Sequence, residues 1–165
     1  MTYKSTLLDE QSTKKSLVTL AHKLAEYNAD SELYLLSIQA RGDAIAKEIS
    51  DIIKMVYAKP VVIIDSIMVN LFKDNPPPIS LPKTTSIVII TDVVHTGKNV
   101  KAIIKAMKDF VPNPPQLLTL VLNSKARLKV SAVFAAVKMP LEDSDIAIVN
   151  VNEVDGKDII ELYCV

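Results

Sequence analysis

Aliphatic runs alternate along the chain with amphipathic stretches in which apolar residues recur at helical spacing. This order is typical of an α/β fold whose central, mostly parallel sheet is flanked by helices. Strands are predicted over residues 32–38, 60–68, 87–90, 117–122 and 131–137. Helices are predicted over residues 12–27, 44–57 and 99–110, and Ser12 or Thr13 can cap the first of them.

The C-terminal region has a different pattern. Two further strands, 146–151 and 159–165, flank the pair Asp155-Gly156. This pair is typical of hairpin turns because Gly tolerates positive φ. We therefore expect an antiparallel hairpin at the edge of the parallel sheet. No repeat or linker divides the chain, so residues 1–165 are predicted to form a single domain.

Polar residues follow two predicted strands at the points where helices begin. The turn 39–43 contains Arg41 and Gly42, and the loop 91–99 contains a carboxylate, two hydroxyls, an imidazole and a glycine. Backbone amides and the helix dipole make such helix starts favourable for anions. Because the carboxyl ends of parallel strands share one edge of a sheet, these loops and the Pro-rich stretch 70–83 are expected to converge on one ligand site.

The side chains of these loops suit a sugar phosphate. Asp92 can accept hydrogen bonds from vicinal sugar hydroxyls, while Thr96, Asn99 and the neighbouring amides can donate to a monophosphate. Arg41 can hold a second anionic group. No Walker, dinucleotide, catalytic-triad or metal-ligand spacing occurs, so no residue is assigned as a metal ligand. Catalysis at this site would rest on positioning and electrostatics.

Three features allow two interpretations each. His95 either shapes the phosphate loop or transfers a proton. The Pro-rich stretch, with Lys73, is either a lid over the ligand or a passive connection. A basic stripe on the third helix is either a solvated face or a nucleic-acid contact. The stripe consists of Lys98, Lys101, Lys105 and Lys108.

Net charge, cysteine content and the length of the apolar runs limit the classes to which this protein can belong. The net charge is zero, which argues against broad electrostatic capture of nucleic acid. Cys164 is the one cysteine, so no internal disulfide can form. The N-terminus has no apolar signal core, and no apolar run approaches the length of a membrane span. We therefore expect a cytoplasmic protein with no membrane partner.

The loop after the 87–90 strand resembles a known signature. A strand, an acid, two apolar residues, a variable residue and Thr-Gly at a helix start resemble the diphosphate-sugar motif of type I phosphoribosyltransferases. Within that family the chain is most similar to the pyrimidine operon attenuators, which also have uracil phosphoribosyltransferase activity. Similar segments occur in order along the chain: 7–10, 20–22, 40–42, 70–75 and 153–158.

The resemblance implies a type I phosphoribosyltransferase-like, Rossmann-like fold, and 5-phosphoribosyl 1-diphosphate with Mg²⁺ as the ligand. Asp92 and Lys73 are implied in catalysis, with Lys73 on a closing loop. Diphosphate would be displaced from the anomeric carbon by a base nitrogen, and the implied assembly is a homodimer or a higher homo-oligomer. The implied substrate-binding residues are Ala40, Arg41, Gly42, Thr91, Asp92, Val93, Val94, His95, Thr96, Gly97, Lys98 and Asn99.

The motif also departs from the family pattern. Thr91 stands where the family has the first of two adjacent acids, and Lys98 and Asn99 stand where it has an arginine and a hydroxyl residue. The first hypothesis is a phosphoribosyltransferase for a pyrimidine-like base. The second is a catalytically weak, nucleotide-sensing regulator on the same fold, with RNA as a further candidate partner. The third is an unrelated α/β protein with a chance phosphate loop.

Overall fold

The structure, a computed structural model, describes residues 1–65, 83–109, 111 and 113–165. Eight strands are described: β1 (Thr2–Leu8), β2 (Glu32–Ser37), β3 (Val61–Asp65), β4 (Thr85–Val94), β5 (Gln116–Asn123), β6 (Val133–Met139), β7 (Asp145–Asn150) and β8 (Ile159–Cys164). The described helices are α1 (Glu10–Tyr27), α2 (Gln39–Tyr57), α3 (Lys98–Met107) and the short α4 (Asn152–Asp155).

Five strands form a parallel sheet in the order β3-β2-β4-β5-β6. Every residue of β5 is buried, which is expected of a strand covered on both faces. The predicted α/β architecture with a parallel centre is confirmed. The part of the 60–68 strand beyond Asp65 lies outside the described residues.

The C-terminal hairpin is confirmed as antiparallel, but it does not extend the parallel sheet. β7 and β8 instead join β1 in a separate three-stranded sheet with the order β1-β8-β7. Gly156 has the expected positive φ of 72°, at the end of the short helix α4. β1 was not predicted because its side chains are largely exposed, which leaves it without an apolar pattern.

Two helix starts differ from the predictions. Asp9, rather than Ser12 or Thr13, caps α1: its Oδ1 accepts from the Ser12 amide at 2.8 Å. The turn predicted over 39–43 is also wrong, because α2 already begins at Gln39. Gln39 itself has a positive φ of 62°, which gives the chain a sharp change of direction after β2.

Helices cover both faces of the parallel sheet. α1 and α2 pack against side chains such as Val88 and Ile90 of β4, and the second sheet adds Ile160 to this cluster. On the opposite face, α3 packs against Ile87 and Ile89. Burying each of these side chains fully contributes about 1.5–3 kcal/mol, so β4 is anchored from both sides. Among the described residues, no helix has the length and apolar character needed to cross a membrane.

The strand order places a topological switch point between β2 and β4. From β2 the chain proceeds through α2 to β3 on one side, whereas from β4 it proceeds through α3 to β5 on the other. Ligands of open α/β sheets bind at the carboxyl ends of the strands at such a point. A ligand is therefore expected in the crevice at the carboxyl ends of β2 and β4.

Candidate active site

The ends of β2 and β4 are joined where α2 begins. The Ile38 amide, directly after β2, donates to the Ile90 carbonyl oxygen at 2.9 Å. This bond brings the segment Ile38–Gly42 against the upper part of β4. Two of the three segments that are predicted to converge, the one with Arg41 and the one after β4, therefore begin side by side at this edge.

β4 is longer than predicted and contains residues 91–94 of the expected loop 91–99. Thr91 and Val93 pair in register with Thr119 and Val121 of β5, so the strand continues to Val94. The hydrogen-bond partners of these residues belong to β5, so the local sequence does not predict this part of the strand. The residues outside regular structure are therefore only His95, Thr96 and Gly97.

The Asp92 carboxylate is partly buried at the end of β4. Its Oδ1 accepts from the Val93 amide at 2.8 Å and from the Thr91 hydroxyl at 3.3 Å. The Asp92 main-chain oxygen accepts from the Thr119 hydroxyl at 3.0 Å. These contacts fix Oδ1 and the backbone. Within the described part of the chain, Oδ2 has no hydrogen-bond partner and can accept from a ligand.

A cavity of about 270 Å³ lies between the end of β4 and the start of α3. Gly97 occupies the position before the helix with a positive φ of 75°. The Lys98 amide donates to the Thr96 hydroxyl at 3.3 Å, and this weak bond organises the turn. The cavity is lined by Thr91, Val93, Val94, His95, Thr96, Gly97, Lys98, Asn99 and Val100.

Gly97 has a second constraint besides its φ. A Cβ at this position would lie 2.6 Å from Cδ2 of Leu128, which comes from the loop after β5. Leu128 was not among the predicted site residues, because no local pattern connects it with the phosphate loop. Its methyl group limits the space beneath the turn.

The variant Gly97→Ala is expected to lose about 1 kcal/mol of stability, because a left-handed conformation is unfavourable for residues with a Cβ. It is also expected to weaken binding of ribose 5-phosphate, because the left-handed φ of 75° is unfavourable for Ala and the turn would relax toward another conformation. Gly156→Ala is the matched control: its φ is 72° and a Cβ there meets nothing within 4 Å. Urea denaturation measures the stability of both variants, and calorimetric titration measures their affinity for ribose 5-phosphate. Equal affinity of the two variants would contradict the prediction.

His95 is engaged by the connection between β6 and β7. Its Nε2 donates to the Glu142 carbonyl oxygen at 3.2 Å, and the Glu142 amide donates to Asp145 Oδ2 at 3.0 Å. Lys4 pairs with the same Asp145 carboxylate, and this hydrogen bond lowers the pKa of Asp145. The contact of His95 favours the interpretation that it shapes the loop.

Gly42 permits the close approach of α2 and β4. A Cβ on Gly42 would lie 2.9 Å from the Ile90 carbonyl oxygen, which already accepts from Ile38. The Ser37 hydroxyl donates to the Asp43 carboxylate across the same segment. Both contacts hold Ile38–Gly42 in one conformation at the edge of the crevice.

Arg41 is held by a residue that the sequence did not connect with it. Its Nε and Nη2 donate to Asp155 of α4 at 3.0 and 2.8 Å. This hydrogen-bonded ion pair lowers the pKa of Asp155 and raises the pKa of Arg41. Asp155 was predicted only as a turn residue, because the partners are 114 positions apart and the pairing depends on the second sheet.

The other predicted site residues are distributed as follows. Lys98 and Asn99 are exposed in the first turn of α3, and Ala40 is exposed beside Arg41. Lys73 and the Pro-rich stretch up to residue 82 lie outside the described residues. Among the residues described, no group of three or more His, Cys, Asp or Glu side chains is arranged to hold a metal ion.

Comparisons with known proteins agree with this architecture. No family model matches the chain. It is 29% identical over 177 residues to the bifunctional protein PyrR of Clostridium beijerinckii, with 99% of both chains covered. PyrR of Bacillus subtilis is 27% identical over 184 residues, which cover 99% of this chain and 98% of that protein.

Solved structures share the fold. The hypoxanthine-guanine phosphoribosyltransferase of Leishmania tarentolae, solved with GMP, superposes with a TM-score of 0.69 at 17% identity, with 96% of each chain covered. The Bacillus anthracis hypoxanthine-guanine phosphoribosyltransferase gives 0.67 at 13% identity, with 100% of each chain covered. The predicted resemblance to type I phosphoribosyltransferases, and to the PyrR group in particular, is confirmed along the whole chain.

Proposed function

We propose that this chain binds 5-phosphoribosyl 1-diphosphate and transfers its phosphoribosyl group to a nucleobase, with a uracil-like pyrimidine as the acceptor. The main support is the switch point between β2 and β4, where Arg41 follows the carboxyl end of β2 and Asp92 lies near the carboxyl end of β4. The cavity at the turn around Gly97 adds space for a phosphate at the same edge of the sheet. Full-length similarity to proteins named PyrR supports a pyrimidine rather than a purine acceptor.

In this proposal each loop binds one part of the ligand. Asp92 Oδ2 accepts from the ribose hydroxyls, and the turn 95–99 donates amides and hydroxyls to the 5-phosphate. Ala40, Arg41 and Gly42 line the diphosphate half of the crevice, and Lys73 closes over the leaving group. Val93 and Val94 place the turn through their pairing with β5.

The reaction is a displacement at the anomeric carbon. A base nitrogen forms a bond to that carbon while the bond to the diphosphate oxygen breaks, and positive charge develops on the ribose ring in the transition state. The proton of that nitrogen passes to the departing diphosphate or to water. The protein contributes by aligning the reactants and by placing cations beside the departing diphosphate. The Asp92 carboxylate lies on the ribose side, where it favours the developing positive charge.

The donor set of the site fits a magnesium ion that arrives with the ligand. Mg²⁺ at substrate phosphates commonly takes only one or two carboxylates from the protein and completes its shell with substrate oxygens and water. Asp92 is such a carboxylate and would hold the ion. When bound, Mg²⁺ would neutralise charge on the departing diphosphate.

A second candidate function, a catalytically weak nucleotide-sensing regulator, is favoured by one observation. Thr91 is buried where the family has an acid, so Asp92 is left as the single carboxylate at the end of β4. RNA is a candidate partner of this regulator, because Lys98, Lys101 and Lys105 are exposed along α3.

The homo-oligomer, the cytoplasmic location and the single domain over 1–165 also stay predictions.

A steady-state assay distinguishes the two functions. The full chain is incubated with 5-phosphoribosyl 1-diphosphate, Mg²⁺ and a panel of purine and pyrimidine bases, and release of diphosphate is measured. Turnover with uracil above all other bases supports the transferase. Calorimetric binding of the diphosphate sugar without turnover for any base supports the regulator, and absence of binding contradicts both.

Thr91→Asp is expected to raise transferase activity by about tenfold, the lower end of what one hydrogen bond to a charged group contributes. The new carboxylate would restore the adjacent pair of acids beside the cavity that Thr91 lines. Thr91→Asn is the matched control, since it has the same shape without the charge. Equal activity of the Asp and Asn variants would show that the charge at residue 91 has no catalytic effect.

A further inference from the structure

The ion pair between Arg41 and Asp155 joins the two sheets at the crevice. Arg41 belongs to the first turn of α2, which follows β2 of the parallel sheet. Asp155 ends α4, which connects β7 and β8 of the antiparallel sheet. The two parallel hydrogen bonds, at 3.0 and 2.8 Å, fix the plane of the guanidinium as well as its position.

Asp155 is itself held rigidly by its own turn. Its Oδ2 accepts from the Val151 amide at 2.9 Å, and its amide donates to the Val151 carbonyl oxygen at 2.7 Å. The Asp155 side chain is 16% exposed, whereas that of Arg41 is 39% exposed. The carboxylate is therefore the fixed partner, and the guanidinium is the more accessible one.

The pair leaves part of the guanidinium available. Arginine carries five N–H donors, and Asp155 engages the edge formed by Nε and Nη2. Among the described residues, Arg41 Nη1 has no hydrogen-bond partner. Arg41 follows the carboxyl end of β2, and Asp92 lies near the carboxyl end of the adjacent strand β4. The available donors therefore belong to the same edge of the sheet as Asp92.

We propose that Asp155 is a positioning residue, which holds the guanidinium of Arg41 so that its remaining donors engage the diphosphate half of the ligand. This inference rests on the function proposed above. It extends the site to the antiparallel sheet, which the motif at β4 does not include.

Removal of Asp155 changes the affinity for diphosphate in a direction that depends on whether Asp155 positions Arg41 or competes with the ligand for it. Removing Asp155 removes a negative charge near an anion site, which by itself tightens binding of anions. If Asp155 instead competes with diphosphate for Arg41, its removal strengthens binding. Positioning and competition therefore change the affinity for diphosphate in opposite directions.

The experiment compares Asp155→Ala, Asp155→Asn, Arg41→Ala and the double variant Arg41→Ala/Asp155→Ala with the wild type. Inorganic diphosphate with Mg²⁺ and 5-phosphoribosyl 1-diphosphate with Mg²⁺ are titrated by calorimetry, and KM and kcat are measured separately. Glu153→Gln is the matched control, since Glu153 lies on the same short helix and pairs with Lys47 at 2.9 Å on the surface. Asp155→Asn keeps the shape of the turn if the Ala variant does not fold.

We expect Asp155→Ala to weaken diphosphate binding by about tenfold, as is common when a group that orients a binding residue is lost. KM for the diphosphate sugar should rise by a similar factor, with a smaller change in kcat. Asp155→Asn should lie between the Ala variant and the wild type, and Glu153→Gln should match the wild type. In the Arg41→Ala background, removing Asp155 should cause no further loss.

Each outcome decides the inference. Diphosphate affinity that is unchanged or higher in both Asp155 variants overturns the positioning role, while binding by the wild type leaves the proposed function intact. An equal loss with and without Arg41 also overturns it, because Asp155 would then act independently. A wild-type chain that binds no diphosphate sugar refutes the proposed function together with this inference.

Discussion

Asp92→Asn is expected to weaken binding of 5-phosphoribosyl 1-diphosphate by about a hundredfold, because hydrogen bonds to a charged acceptor contribute about 1.5–3 kcal/mol each. The exchange is nearly isosteric, and an Asn oxygen can still accept from the Val93 amide, which lies 2.8 Å from Asp92 Oδ1. The fold should therefore be retained while the charge at the ribose is lost. Calorimetric titration in the presence of Mg²⁺ measures the change in affinity.

Asp30→Asn is a suitable control for this experiment. Asp30 is exposed and precedes β2, so it lies at the amino edge of the sheet, opposite the crevice. Its variant should bind the diphosphate sugar as the wild type does. If Asp92→Asn also kept the affinity of the wild type, the ribose-binding role of Asp92 would be wrong.

Gly42→Ala is expected to lower the free energy of unfolding by about 2 kcal/mol, since overpacking costs up to about 3 kcal/mol and a helical Ala regains about 1. The added Cβ would lie 2.9 Å from the Ile90 carbonyl oxygen. That oxygen belongs to a buried strand and accepts from Ile38, so the start of α2 must move instead. Affinity for inorganic diphosphate should fall in parallel, because Arg41 moves with the helix.

Asp51→Ala is the matched control on the same helix. Asp51 is exposed, so its variant gains helix propensity without a new contact at β4. Urea denaturation of both variants separates the two effects. A Gly42→Ala protein as stable as the wild type would show that α2 can approach β4 without a glycine.

Local sequence predicted the parallel sheet because its strands are continuous aliphatic runs between helices. The run ending at Ile90 was easy to recognise, but the continuation of β4 through Asp92 to Val94 was not. Those residues become a strand because β5 supplies their hydrogen-bond partners. Asp92, Thr96 and Gly97 were named as site residues from the motif, whereas the strand that fixes Asp92 required the tertiary structure.

The contacts that complete the site were harder to predict for the same reason. Asp155 reaches Arg41 across 114 residues, and Leu128 reaches Gly97 from another loop. Neither contact has a local pattern. The strand β1 was missed because it is a polar segment that becomes regular only by pairing with β8. The motif thus predicts the candidate ligand-binding residues, and the structure adds the residues that contact them.

The antiparallel sheet also determines when the site can be assembled. Lys4 and Asp145 are separated by 141 residues, and Arg41 and Asp155 by 114. Contacts of this separation form late, because closing a long loop costs entropy before the contact can repay it. On the ribosome the parallel sheet can begin to form from the N-terminal side, whereas Arg41 acquires its partner only after α4 has been synthesised. A nascent chain is therefore expected to form the edge of β4 that carries Asp92 before Arg41 is fixed in place by Asp155.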